Sequence, residues 1–394
     1  MRNARSHVAV TPNPDAKRLL ACCETHRGWL LETIERLVRL ESPSTDKAAV
    51  DRCGAAVAQL LASSGGTIER LPQEQRGDHV RAEWGAGDSQ VLLLGHFDTV
   101  WPVGQLATMP FHEANGRLHG PGIFDMKAGI AVAALAVRVL QELGAKLPKI
   151  AMLWTTDEEI GSGTSRAAIE AEARRSAAVL VLEPSLPGGA AKTSRKGVGE
   201  FELTVHGVSA HAGVDPGKGA SAIHELARQI LALEALQDLP RGISVNVGVI
   251  SGGSRTNVVA DHASAKIDVR VPTMLDGARV EAAIRNLRPR LAGIRLEVSG
   301  GVERPPLERS PGVVRLYNQA KDVAAELGRE LGEGATGGGS DGNFTAALGV
   351  PTLDGLGPRG DGAHALHEHV VVADLCWRAA FVAALLTRIE SHQH

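Results

Sequence analysis

The sequence predicts the α/β class: a mixed, largely parallel sheet flanked by helices, with a small α+β module inserted into it. Three observations carry this. Apolar runs at 91–94, 149–155 and 178–182 alternate with helical patterns and lack the in-out alternation of a half-solvated sheet, as strands buried on both faces do. Near Gly197 the pattern changes: residues 200–206 (EFELTVH) alternate, and the signals then follow the β-α-β-β-α-β order of a ferredoxin-like module. From Ser310 the α/β pattern resumes. Residues 1–197 and 308–394 are therefore expected to form one domain and 198–307 a second one inserted into it, which suits a chain of 394 residues.

The elements follow in order. Leu19, Leu20, Trp29, Leu30, Ile34, Leu37 and Val38 recur at helical spacing and predict one helix over about 17–40, with another over about 46–63. Strands are expected at 68–71 and 79–84, then at the run opening with Val91. Pro102, Gly104, Pro110, Gly116 and the Gly120-Pro121-Gly122 turn mark loops, and the Ala-rich stretch 130–143 is helical. Strand 149–155, helix 166–174 and strand 178–182 come next. The inserted module reads as strand 200–206, helix 220–236, strands 243–250 and 262–271, helix 276–291 and strand 294–298. A helix from Ser310 to about 330, the Gly-rich loop 334–343, a short strand 350–353, the loop 355–364 and a helix over about 372–390 complete the chain.

Composition narrows the function. Hydrophobic residues make up 43%, ample for a core, and no apolar run approaches membrane-span length. A net charge of -3 and an aromatic content of 3% leave no footprint for nucleic acid or an anionic membrane, and no platform for stacked bases. The first residues carry Arg but no long apolar stretch before a cleavage site. They read as a short disordered lead into the first helix of a cytoplasmic protein. Cys22, Cys23, Cys53 and Cys376 form no Cys-x-x-Cys pair and are expected to be reduced core thiols.

The chemistry sits at strand ends. The run at 91–94 leads through Gly95 to His96 and Asp98, whose side chains point the same way in an extended segment. A carboxylate so placed can hold the second ring nitrogen of a metal-binding imidazole. Strand 149–155 runs into Asp157, Glu158 and Glu159, and strand 178–182 into Glu183. Asp125 precedes the Ala-rich helix, and His364 closes the loop GLGPRGDGAH. Each has a plain structural reading: a His-Asp pair satisfying itself, an N-cap at Asp125, a solvated acidic helix start at 157–159. Their repetition at the carboxyl ends of buried strands, where open α/β sheets bind ligands, favours a site. His and carboxylate donors without thiolate suit zinc, with cobalt or manganese as substitutes. Two metals sharing one carboxylate need this inventory, and they serve to activate water against a carbonyl or phosphoryl group. A spare carboxylate can move the proton.

In this order, GHFDTV, GPGIFDMKAG, TTDEEIGS, LEPS, HGVSAHAG, TNVVADH, GGGSDGN and GAHALHEH resemble the di-zinc aminoacylase/carboxypeptidase family, its glutamate carboxypeptidase branch most of all. The resemblance runs from about residue 20 to near the end. It implies two Zn2+: His96 and Glu183 on one, Glu159 and His364 on the other, Asp125 bridging and followed by a cis peptide. Asp98 would orient His96, Glu158 would be general base and then acid, and His211 would reach from a partner subunit to the oxyanion. Asn257, Arg270 and Arg304 match positions that handle the free carboxylate of a small-molecule substrate, work that suits the planar fork of Arg. The inserted module would be the lid and dimerisation domain of a homodimer. The activity implied is release of a C-terminal amino acid, with glutamate expected, from an N-acyl or peptidyl amide.

Several readings stay open. A second substrate carboxylate would need a cation, which Lys192, Arg195 or Lys196 could supply, unless they are a solvated basic stretch. His367 and His369 lie near His364, which is preferred by resemblance, with Glu368 four residues on. His392 and His394 read as tail residues. Ser340, Asp341 and Asn343 could shape their loop or touch substrate. An amino-acid deacylase or desuccinylase uses the same chemistry, and a non-catalytic binding descendant would keep the same fold. Nucleotide binding would need Gly-x-Gly-x-x-Gly between strand and helix; Gly120-Pro-Gly122 and Gly161-Ser-Gly163 lack the third glycine and sit among acids.

Overall fold

A computed structural model describes residues 13–87 and 89–389. The expected N-terminal lead (residues 1–12), His392 and His394 lie outside these. The strands are β1 (Thr67–Leu71), β2 (His79–Trp84), β3 (Gln90–His96), β4 (His112–Ala114), β5 (Arg117–His119), β6 (Lys149–Thr155), β7 (Ser176–Val181), β8 (Ala191–Arg195), β9 (Gly197–His206), β10 (Ser244–Gly252), β11 (His262–Val271), β12 (Arg295–Arg304), β13 (Glu333–Thr336), β14 (Thr352–Leu353), β15 (Gly360–Asp361) and β16 (His369–Val371). The helices are α1 (Ala16–Thr25), α2 (Arg27–Arg39), α3 (Lys47–Ser63), α4 (Ala128–Glu142), α5 (Arg166–Arg174), α6 (Ala222–Glu234), α7 (Met274–Arg285), α8 (Pro311–Glu326), α9 (Gly342–Ala347) and α10 (Val372–Leu386).

Two compact units divide the chain. The first runs to Thr193 and resumes over Arg309–Gly334 and from Leu348. Its sheet has the order β1-β2-β6-β3-β7-β14. β6, β3, β7 and β14 are parallel, while β1 and β2 are antiparallel additions at one edge. Leu92, Leu93, Leu94, Leu153, Val179 and Leu180 are fully buried, which explains their uninterrupted apolar runs. Pairing of His96 with Thr155 and of Leu94 with Val181 brings the carboxyl ends of β3, β6 and β7 to one level. α4 is apolar on all sides from Ala128 to Val137, where α1, α2 and α10 pack on it.

The second unit comprises Ser194–Glu308 and Ala335–Ala347. β9, α6, β10, β11, α7 and β12 form an antiparallel sheet of order β10-β11-β9-β12, the ferredoxin-like arrangement. Phe201, Leu203, Val205, Ile267 and Val269 pack with Leu226, Leu233, Val280 and Ile284 of the two helices. The alternation of burial along β9 is the mark of a sheet covered on one face.

Some boundaries differ from expectation. The helix expected over 17–40 is two helices, because His26 leaves helical geometry (φ -98°, ψ 11°) and its N–H bonds back to the carbonyls of α1. α7 stops at Arg285, short of Pro289, which has no N–H to continue the ladder. α8 stops at Glu326, two residues before Gly328 at φ +76°. The short pairings of β4 and β5 with β16 and β15 had no periodicity to announce them. Among the described residues, no helix is long and apolar enough to cross a membrane.

Candidate metal centre

His96 closes β3, and the glycine before it has a packing reason. A Cβ on Gly95 would stand 2.7 Å from the Trp154 ring and against the Met126 side chain. The His96 ring is buried. Its Nδ1 lies 3.0 Å from the Asp98 carbonyl oxygen and 3.3 Å from Asp98 Oδ1, while Nε2 lies 3.2 Å from both Asp125 Oδ1 and Glu183 Oε1.

Asp125 does not cap a helix. It sits in a tight turn (Ile123–Lys127) ahead of α4, with a cis peptide to Met126. Its Oδ1 faces His96 and its Oδ2 lies 3.5 Å from His364 Nε2. His364 Nε2 is also 3.1 Å from Glu159 Oε2. The pairs His96/Glu183 and Glu159/His364 thus flank the two oxygens of Asp125. Glu158 shares a cluster with His96 and Glu183, and Glu159 one with His96 and Asp125, ligating atoms within 4.8 Å of one another in each.

The acids at 157–159 are no solvated helix start. Asp157 is buried and accepts from the Thr164 amide (2.6 Å) and hydroxyl (2.7 Å). The backbone amides of Glu158 and Glu159 lie 3.4 and 3.3 Å from the Asp98 carboxylate, which also accepts from Ser44 Oγ at 2.7 Å. One buried acid therefore holds the imidazole and the segment carrying Glu158 and Glu159. Ser44 gave no sequence signal of this. Glu368 has a comparable role unseen in the sequence. It is buried and accepts from the amides of Gly122 (2.9 Å), Phe124 (2.8 Å) and Asp125 (3.0 Å) and from Trp101 Nε1 (2.8 Å), which fixes the Asp125 turn. Burial raises its pKa to about 7 in spite of those donors.

The donors fit a divalent metal. Glu159 Oε1 is buried with no hydrogen-bond partner. An imidazole nitrogen facing two carboxylates can donate to only one of them. Burial pushes His96 down, yet hydrogen bonds that its ring donates to Asp125, Asp98 and Glu183 hold its pKa well above the usual value. Asp125 and Glu159 lift His364 to about 10. Burial pushes Glu159 up, whereas Asp125 stays below the usual range, despite its burial, because both imidazoles face it. The carboxylates thus draw positive charge from the rings, and a dication supplies the same charge. Nitrogen and oxygen donors without sulfur suit zinc, cobalt or manganese.

The second unit carries the other expected site residues. His211 is exposed, and its Nδ1 accepts from the amides of Gly213 and Val214, both at 3.1 Å. Arg270 makes a two-pronged pair with Asp268 (3.0 and 2.7 Å). Arg304 is buried, 3.5 Å from Asp341 and over the Phe344 ring. Asn257 is exposed. Lys192 and Arg195 do not belong to a solvated stretch: both are buried in β8, and Arg195 donates to the Gly339 carbonyl at 2.8 Å. Asn343 ties its loop to the carbonyls of Pro305 and Lys196 at 2.7 and 3.1 Å, a structural role. His369 is buried and packs against the His119 ring, apart from the cluster.

Comparison with known proteins gives the family. The family model for peptidase family M20/M25/M40 matches residues 92–388. The chain belongs to that family. It is a hydrolase acting on peptide-like C–N bonds. Carboxypeptidase G2 from a Pseudomonas species is 30% identical over 370 residues, covering 91% of this chain and 88% of that protein. Succinyl-diaminopimelate desuccinylase from Xanthomonas euvesicatoria pv. vesicatoria is 31% identical over 363 residues, covering 86% and 93%. The aminopeptidase PepT from Bacillus cereus superposes with a TM-score of 0.79 at 23% identity, covering 92% of this chain and 98% of that one, a likeness of fold.

Proposed function

We propose that the protein is a zinc-dependent exopeptidase that releases a C-terminal amino acid, glutamate in the first instance, from an N-acyl or peptidyl amide. The observation that carries this is the convergence of His96, Asp125, Glu159, Glu183 and His364, with Glu158 beside them, at the ends of three parallel strands. In this reading His96 and Glu183 would hold one metal, Glu159 and His364 the other, and Asp125 would serve both. Metals held there would supply Lewis acidity toward the scissile carbonyl and toward the attacking water. Glu158 takes the proton of that water and passes it to the leaving amine. Asp98 keeps the His96 ring in place. His211 stabilises the developing oxyanion from a partner subunit, and its Nδ1, already an acceptor, leaves the proton on Nε2 for donation. Arg270, Arg304 and Asn257 receive the free carboxylate. The second unit acts as lid and dimerisation domain.

Likeness to carboxypeptidase G2 supports a carboxypeptidase, and likeness to succinyl-diaminopimelate desuccinylase supports a second reading, a deacylase with the same machinery. A panel separates them: N-acyl amino acids with Glu, Asp, Ala or Phe at the carboxyl end under one acyl group, then one amino acid under varied acyl groups. Preference set by the terminal residue, with Glu fastest, upholds the carboxypeptidase. Preference set by a succinyl group instead gives the deacylase.

A further inference from the structure

Away from the strand-end cluster, Cys22, His26 and Glu142 bring a sulfur, a nitrogen and an oxygen donor together, their ligating atoms within 4.8 Å of one another. Cys22 and His26 are four residues apart, on one face at the end of α1. Glu142 is the last residue of α4, which packs on α1. His26 Nε2 lies 2.6 Å from Glu142 Oε2. We infer that these three residues form a peripheral binding site for a thiophilic divalent cation, zinc above all, which clamps the end of α1 to the end of α4.

The chemistry is consistent. Zinc takes thiolate, imidazole and carboxylate together, with bonds of about 2.0–2.3 Å. That places ligating atoms about 3–4 Å apart, so sub-ångström to ångström shifts of side chains close the site. Glu142 is 51% exposed and His26 18%, so water has access for a fourth position. Burial and the facing Glu142 carboxylate raise the Cys22 thiol. Both effects penalise a second anion beside the first, and a dication between them removes that penalty. Arg18 acts the other way on the same thiol, favouring the thiolate. Cys23, Cys53 and Cys376 are buried, which leaves Cys22 as the half-exposed thiol.

The strand-end cluster contains no sulfur, so a thiolate-to-metal charge-transfer band reports this site alone. Chelator-stripped protein is titrated with cobalt(II) and followed in the near ultraviolet. The expected result is a thiolate band in the wild type, absent in Cys22→Ser, with cobalt bound about tenfold or more weakly by Glu142→Gln, an exposed position that keeps the thiol. The band persists in Glu159→Gln, which disturbs only the strand-end cluster, so loss of hydrolysis and loss of this site are separately visible. Zinc is expected to raise the melting temperature of the wild type more than that of Cys22→Ser, while both hydrolyse substrate at the same rate. A wild type without the band, or a band that survives in Cys22→Ser, overturns the inference.

Discussion

Asp98 Oδ1 stands 3.3 Å from His96 Nδ1, and the same carboxylate faces Ser44 and the amides of Glu158 and Glu159. A carboxylate holding so many hydrogen-bond donors positions others instead of reacting. Asp98→Asn is therefore expected to weaken metal binding about 10–100-fold, read by titration against a chelating dye. Unchanged affinity would remove its orienting role. Glu158 lies beside His96 and Glu183. Glu158→Gln should lower turnover by about 10²–10⁴-fold, with an unaltered melting curve and metal content; full turnover would assign the base elsewhere. At this scale the sequence was legible where chemistry and position coincide. His96, Glu159 and Glu183 each follow an apolar run. Ser44 and Glu368 were opaque because their partners are distant in sequence: Ser44 donates to the Asp98 carboxylate and Glu368 accepts from the amides of Gly122, Phe124 and Asp125, and a serine or glutamate in a loop carries no periodicity.

The central strands read cleanly because burial on both faces writes an unbroken apolar run. Leu93 is fully buried in β3. Leu93→Ala should cost about 2–5 kcal/mol in urea unfolding, the range for large-to-small changes in a packed core. The antiparallel side of the sheet is held differently. On β2, Glu83 meets Arg81 at 2.8 Å and Lys149 of β6 at 2.9 Å. Hydrogen bonds from Arg81 first, then Lys149, lower its pKa from 4.5 to about 2. A folded-state pKa below the unfolded one gives stability that is present above about pH 4.5 and fades as pH falls through about 2. The gap in urea midpoint between wild type and Glu83→Gln should close over that window; a constant gap would show that Glu83 does not titrate with folding. The break at His26 and the short strands β4, β5, β15 and β16 were not legible. Their geometry is set by tertiary contacts, and two or three residues are too few for a pattern.

For the whole molecule, the order of strands and helices was enough to foresee a mixed sheet with a ferredoxin-like module within the chain. Basic residues were harder. In sequence Lys192 and Arg195 fit a solvated run and a substrate-binding cation equally well; they are buried in β8, and charge density in one dimension does not report packing in three. A role for His211 in a partner's site is a question of assembly, and mixing tests it. His211→Ala and Glu158→Ala are each expected to be inactive. Unfolded and refolded together, they should regain about a quarter of wild-type activity, since half the dimers are mixed and one of the two sites in each is intact. No recovery would place His211 in its own subunit's site or outside catalysis.

The proposal that the strand-end cluster holds the catalytic metals is tested most directly by stripping the Cys22→Ser protein with chelator and returning zinc while following amide hydrolysis. Activity is expected to vanish on stripping and return with zinc bound, and not to return in the same protein carrying Glu159→Gln. Hydrolysis that continues in the stripped protein, or returns in full with Glu159→Gln, would contradict the assignment.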